Sequence, residues 1–427
     1  MDVKRLICAF TVIGLVAPGT ALALNGNMAD GFGMKAKGMA GAATAVTGDT
    51  FGGANNPAAM IWAGDRMDIG FDWFRPLRRV ERSGSPGGVL NGSAESDSNN
   101  FIIPEFGYNK MLSRNMSIGV TAFVHGGGNT NYSDGQIAPG ICPAITPARG
   151  NMLCGSTRLG VDLMQVVIAP TFAMKVNQNH SFGVSPLIAY QRFKAEGLQS
   201  LGNSAISASP GSVTNRGYDA ANGVGLRLGW LSKVSDTIAL GAAYSTKIRM
   251  SEFDKYRGFF ANQGELGLPE NYNVGVNWNA TPALNMALDY QVINYNKVVS
   301  LGNPSTNAAQ YGSSNSPGNG WSNIQIVKLG LEYQYNKNLA LRAGYSWGKN
   351  PIQARDVTAN IPSPVVVKDH VTFGLTFSAG RDEITVAYMH ALKNSVSGTV
   401  ANAFGGVGTD TITAYQNSLG IAYGIKF

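Results

Sequence analysis

The chain has 427 residues; 54 are glycine, 44% are apolar, only 14% are charged, and the net charge is +7. The charges are scattered, with no basic run between aromatics, so nucleic-acid binding has no footing. The apolar content and regular alternation exclude a disordered glycine-rich chain.

In chain order, Lys4 and Arg5 precede an apolar run over 6–16, followed by Pro18-Gly19 and Ala21-Leu22-Ala23. This reads as a secretory signal, 1–23, cut after Ala23. No stretch reaches the ~20 apolar residues of a membrane-spanning helix. Residues 24–65 are small and do not alternate, as in the glycine-rich run 31–43 and the run 55–60. Such backbone suits a confined space.

From there on, period-2 alternation predicts strands over 67–74, 101–112, 116–125, 160–176, 181–193, 221–234, 237–249, 271–279, 284–295, 324–335, 339–347, 370–379, 383–390 and 415–427. The last strand alternates to its final residue, Phe427, with Leu419, Ile421, Tyr423 and Ile425 on one face. An apolar strand face at a chain end suits lipid, and in lipid the strand must close a ring to satisfy its backbone. Short turns such as Ser235-Asp236 alternate with long polar connections, and Tyr and Trp recur near strand ends. The predicted class is all-β: a transmembrane antiparallel β-barrel of 14 strands over 66–427, with 24–65 as a plug in its lumen. The location follows: the bacterial outer membrane, both termini in the periplasm, a monomer among lipid and lipopolysaccharide. The strand ending in Phe427 is expected to engage the barrel-assembly machinery.

Several positions carry candidate chemistry. Arg227, Lys247, Arg249, Lys328 and Arg342 fall on inward positions of their strands. Each either belongs to a neutralised ion-pair network or grips an anionic head group, since guanidinium matches carboxylate geometry. Phe253, Tyr256, Phe259 and Phe260 have the spacing of a short amphipathic helix in a loop that also holds Leu266. Four loop aromatics need a reason: a lid over the mouth or an apolar landing site. Leu198 and Leu201 of the preceding long loop add to that surface. Cys142 and Cys154 share one loop, and an exported pair of this kind reads as a disulfide. The four histidines, His125, His180, His370 and His390, have no paired spacing. There is no metal-ligand cluster, G-x-S-x-G or P-loop, so no enzyme, cofactor or metal is expected.

The run Gly38-Met-Ala-Gly-Ala-Ala43, then Asp49 and Asn56-Pro57-Ala58, resembles the N-terminal hatch of FadL-type long-chain fatty acid transporters. The segment from Phe253 through Phe259-Phe260 to Gly264, with Pro269 beyond, is similar to that family's substrate-capturing loop. The resemblance implies a hatch gated by residues such as Gly33, Gly38, Gly41, Asn56 and Pro57. It implies capture of hydrophobic small molecules by two loops, passage to a lumen pocket, and sideways release at a kinked third strand. That kink would fall at Gly126-Gly127-Gly128, directly after the third strand. Long-chain fatty acids are the first expected substrate and alkanes or aromatics the alternative. A porin or adhesin barrel is a further reading, and a hydrolase using His125 the weakest.

Overall fold

The computed structural model describes residues 24–139, 141–142, 149–401 and 406–427. The expected signal, 1–23, lies outside the described residues. Fourteen antiparallel strands close into a barrel. They are β1 Arg66–Ser83, β2 Phe101–Ser113, β3 Met116–Tyr132, β4 Leu159–Lys175, β5 His180–Glu196, β6 Asp219–Lys233 and β7 Ile238–Ser245. There follow β8 Asn271–Asn279, β9 Leu284–Ile293, β10 Ile324–Asn336, β11 Leu339–Gly348, β12 Asp369–Ala379, β13 Asp382–Thr399 and β14 Thr409–Lys426. The last strand pairs with the first from Thr409↔Ser83 to Lys426↔Arg66, so the sheet has no free end strand. The Phe427 amide donates to the Asp65 carbonyl at 3.1 Å, and its ring stacks on Tyr108 at the short-turn rim.

Outward side chains form the apolar belt. Trp73, Ile102, Phe182, Val274, Phe373 and Ile421 are all exposed. Exposure on that scale needs lipid as the solvent. Four strands outrun their predicted limits by six residues or more: β1, β3 and β13 continue to Ser83, Tyr132 and Thr399, and β14 begins at Thr409. Beyond the lipid their outer faces are polar, so alternation of hydrophobicity stops while the ladder goes on. Hydroxyl pairs Ser395–Thr413 and Ser397–Thr411, each 2.8 Å, bridge β13 and β14 there.

The β7 region corrects one expectation. Register slips by one residue between Ser245↔Arg227 and Arg249↔Val224. A slip of one exchanges the two faces of a strand. Ile248 and Met250 are therefore buried, and Arg249 is exposed and does not face the lumen.

Residues 24–65 lie inside the ring and are almost wholly buried. They form a helical turn, Met34–Lys37, and 3-10 turns Phe51–Gly53 and Pro57–Trp62. Wall carboxylates hold their backbone. Asp289 accepts from the amides of Ala43 and Thr44 at 2.9 Å each and from Thr44 Oγ1 at 2.6 Å. Asp68 accepts from the Thr50 amide and hydroxyl at 3.0 and 2.7 Å, and Glu105 from the Gly33 amide at 3.1 Å. Lys35 pairs with Glu383 at 2.7 Å, and Lys37 with Asp72. Asn56 caps the turn begun by Pro57, accepting from the Ala58 amide, and donates to the Thr44 and Trp230 carbonyls. Gly33 and Gly41 have φ of +87° and +77°, which side chains resist. Gly38 lies against Gly374 of β12.

The wall is cut back where this segment touches it. Gly183 and Gly229 face Pro57 and Ala58, Gly241 and Gly275 face Thr44, and Gly330 and Gly344 face Met39. A Cβ at any of them would collide with the inner segment. Many of the 54 glycines are thus explained by close approach rather than by turns.

Candidate functional site

The third strand is broken from its neighbour. β2 pairs with β3 from Ser113↔Met116 to Phe106↔Ala122 and no further. The next bridge on that edge is Ser96↔Tyr132, contributed by the β1–β2 loop. Past Ala122 the in–out alternation also stops: Phe123, Val124, His125, Gly126 and Gly127 are all buried. Pairing with β4 slips between Val124 and Gly126. Gly126, Gly127 and Gly128 therefore lie within β3, not after it, and they sit at the irregularity.

The open edge is occupied by the inner segment. Met28 pairs with Gly126, and the Gly127 amide donates to the Asn27 carbonyl at 3.1 Å. A Cβ on Gly126 would run into that carbonyl, so only glycine allows the approach. From above, the Tyr295 hydroxyl donates to the Asn25 carbonyl at 2.5 Å and accepts from the Asn27 amide at 3.1 Å. Tyr295 follows β9 at the long-loop end and meets Trp321 edge-on. The described N-terminal residues thus lie inside the barrel toward the long-loop end, whereas Phe427 sits at the short-turn rim. The two ends of the described chain are at different heights.

Beside this junction is a small apolar pocket. Its walls include Phe32, Phe123, Leu187, Ile248 and Leu268, with Arg227 and His125 among them, and its volume is about 10 Å³. Met28 and Phe32 fill the space. Arg227 enters from β6 and is buried. Its Nη1 donates to Ser245 Oγ at 2.7 Å and Asn271 Oδ1 at 3.1 Å. Its Nη2 donates to Asn273 Oδ1 at 2.9 Å and to the Asn55 carbonyl, and Nε has no partner among the described residues. All four acceptors are neutral.

The other predicted cations are spoken for. Lys328 bonds the Asp30 carbonyl and lies 4.0 Å from its carboxylate. Arg342 pairs with Glu332 at 2.5 Å and donates to Thr376. Lys247 stands in the loop after β7, 3.6 Å from Glu265 and bonded to the Lys297 carbonyl. Among the described residues, Arg227 alone of the five is buried without a carboxylate partner.

Above the pocket the loop aromatics are gathered, not displayed. Phe193, at the upper part of β5, touches Phe253, Tyr256, Phe259 and Phe260, with centroids 4.7–6.2 Å apart. Phe259 stacks on Tyr311 of the β9–β10 loop. Leu198, Leu201 and Leu266 are buried in the same cluster. The expected amphipathic helix is absent; the segment makes a 3-10 turn, Asp254–Tyr256, and a turn at Ala261–Gly264 with Asn262 and Gln263 left-handed. The aromatics meet by chain reversal rather than helical spacing. Burial pushes the Tyr256 hydroxyl up, and it donates to the Gly217 carbonyl at 2.6 Å. Cys142 and Cys154 are bonded, with Cα atoms 5.4 Å apart, in the loop after β3.

Sequence reasoning missed Tyr295, Asn27 and Met28. A tyrosine at a strand end resembles a girdle residue, and nothing local marks its partner 270 positions away.

A barrel with an inner segment, an interrupted third strand and an apolar pocket defines a class of outer-membrane channel. Residues 10–427 match the family model described as outer membrane protein transport protein (OMPP1/FadL/TodX). The chain belongs to that family: it is a transport barrel of the bacterial outer membrane for hydrophobic compounds, not an enzyme. Solved structures agree in fold. The Pseudomonas putida toluene transporter TodX is 18% identical, with a TM-score of 0.66, covering 93% of this chain and 99% of its own. A Pseudomonas aeruginosa FadL homologue is 15% identical, with a TM-score of 0.69 and coverages of 94% and 100%. The Ralstonia pickettii toluene transporter TbuX is 16% identical, with a TM-score of 0.63 and coverages of 93% and 99%. Comparison with curated protein sequences finds no match.

Proposed function

We propose that this barrel takes up hydrophobic acids, long-chain fatty acids first, and releases them sideways into the membrane. The short-turn rim faces the periplasm and the long loops face outward. The cluster around Phe193 captures the chain; each Å² of apolar area it covers contributes about 25 cal/mol. The hatch, residues 24–65, then yields at Met28 and Phe32, and the pocket enlarges. Arg227 takes the carboxylate, exchanging neutral acceptors for a charge-assisted pair. The exit is the unpaired edge between β2 and β3, once Asn27 and Met28 withdraw.

The observation that carries this reading is the buried Arg227 guanidinium at the pocket wall with no acid opposite it. Sideways exit is supported by the polarity of the other route. The cavity on the short-turn side, about 350 Å³, is lined by Lys35, Asp236, Asn277, Glu332, Arg342 and Glu383 among others. An apolar solute crossing it would meet a free-energy barrier.

The second reading is a channel for aromatic or alkane hydrocarbons. It is favoured by the apolar pocket walls and by the toluene transporters among the similar folds. Uptake of labelled oleate, hexadecane and toluene by cells lacking their own hydrophobic channel separates the two. Saturable oleate uptake supports the first. Toluene or hexadecane uptake without oleate supports the second, and no uptake of any supports a barrel that serves as anchor or adhesin.

A further inference from the structure

A polar row interrupts the apolar belt on the outside of the barrel. Strand register sets Arg75 of β1, Asn417 of β14 and His390 of β13 side by side. The outward row nearer the short turns is Trp73, Leu419 and Tyr388, all exposed. Leu77 and Tyr415 pair in the next outward row on the long-loop side. An arginine between two such rows is at the height where acyl chains give way to head groups.

Three details make this a built feature. First, β13 is bulged between Ala391 and Asn394, so that Leu392 and Lys393 are both exposed beside the row. Second, among the described residues neither Arg75 nor Lys393 has a carboxylate within ion-pair distance. Arg79, four residues further along β1, bonds both Glu81 and Glu95. Third, Asn417 Oδ1 accepts from the Tyr388 hydroxyl and lies against His390 Nδ1, each at 2.9 Å. Both contacts use Oδ1, which leaves the Asn417 amide nitrogen as a donor for a ligand. Strands step about 4.8 Å, so Arg75 and Lys393 stand about 10 Å apart laterally across β14.

We infer that Arg75, Asn417 and Lys393 bind the phosphate groups of an outer-leaflet lipid, the bisphosphorylated lipid A of lipopolysaccharide. Trp73, Leu419, Ile421 and Phe373 carry its acyl chains. Guanidinium and ammonium supply charge-assisted donors, and a doubly charged phosphate suits two cations better than a monoanionic head does. The inference rests on the outward orientation of the long-loop rim.

The test uses the full-length protein in detergent with four probes: bisphosphoryl lipid A, monophosphoryl lipid A, lipid A stripped of phosphate, and phosphatidylglycerol. Native mass spectrometry reads the bound fraction. Bisphosphoryl lipid A should bind at least tenfold better than the stripped form and better than phosphatidylglycerol. The Arg75→Gln/Lys393→Gln variant should lose that preference, and Arg79→Gln should keep it. If the double variant does not show the heat-modifiable gel shift of a folded barrel, Lys393→Gln alone is read, with a severalfold loss expected. Equal binding of stripped and bisphosphoryl lipid A, or a double variant that binds as well as the parent, overturns the site. Ser397→Cys, exposed on the far part of β13, tests orientation separately with an impermeant maleimide on intact cells. Labelling supports the outer leaflet. Absence of labelling overturns the assignment to lipid A through the orientation, whatever the detergent result.

Discussion

The Tyr295 hydroxyl holds the inner segment at two points, the Asn25 carbonyl at 2.5 Å and the Asn27 amide at 3.1 Å. Asn27 in turn takes the Gly127 amide of the open β3 edge. A long-loop residue is therefore two hydrogen bonds from the break in the wall.

Tyr295→Phe should keep the packing against Trp321 and lose both bonds, each worth about 0.5–1.5 kcal/mol. The expected outcome is roughly tenfold faster hydrogen exchange at amides 25–30, with the barrel ladder unchanged. Unchanged exchange there would mean that Tyr295 does not restrain the segment.

Gly126→Val puts a side chain where the Asn27 carbonyl now lies. Overpacking of this kind costs about 1–3 kcal/mol, and the inner segment is the softer partner. Met28→Cys in that background should react severalfold faster with a membrane-soluble maleimide. No change in reactivity would place the exit elsewhere.

Arg227→Gln removes a charge-assisted contact worth about 1.5–3 kcal/mol, so oleate uptake should fall by about tenfold or more. Toluene uptake should stay within twofold. Equal loss of both would make Arg227 a structural residue that seats Asn55.

Phe193→Ala should open the aromatic cluster. Large-to-small changes in such a site cost about 3–5 kcal/mol. Limited proteolysis should then cut within 251–269 at least severalfold faster than in the parent. An unchanged rate would show that Tyr311 and the neighbouring loops hold the lid without it.

Glu270 ties the β9–β10 loop to the rim through Lys297 and Asn294, at 2.9 and 2.8 Å. The hydrogen bond from Lys297 is the first cause holding its carboxyl below the usual value of 4.5. A depressed carboxyl contributes stability that is complete above its unfolded pKa and fades as pH falls through the folded one. Protease access to 294–323 should therefore rise below about pH 4.5, and Lys297→Met should flatten that dependence.

The barrel class and its fourteen strands were legible because lipid imposes a strict rule on one face. Trp73, Val274 and Ile421 advertise themselves by alternation alone. Where lipid ends the rule lapses, and the polar extensions of β1, β13 and β14 read as loop. Arg249 misled because a one-residue slip after Ser245 is invisible in composition. The aromatics from Phe253 to Phe260 carried their own signal as a group but not their conformation, which depends on Phe193 about sixty residues earlier in the chain. Tyr295 carried no signal, since its meaning lies in two carbonyl and amide groups that every sequence has.

The wall glycines have a consequence beyond clearance. They and the carboxylates of Asp68, Glu105 and Asp289 mostly meet backbone, which is the same whatever side chains the plug carries. The barrel is a mould, and the plug's course is imprinted in it as absent methyl groups. Two proteins of this architecture could share a plug route while sharing little plug sequence. A foreign plug grafted at residue 65 would be accepted or refused by the pattern of glycines around the ring.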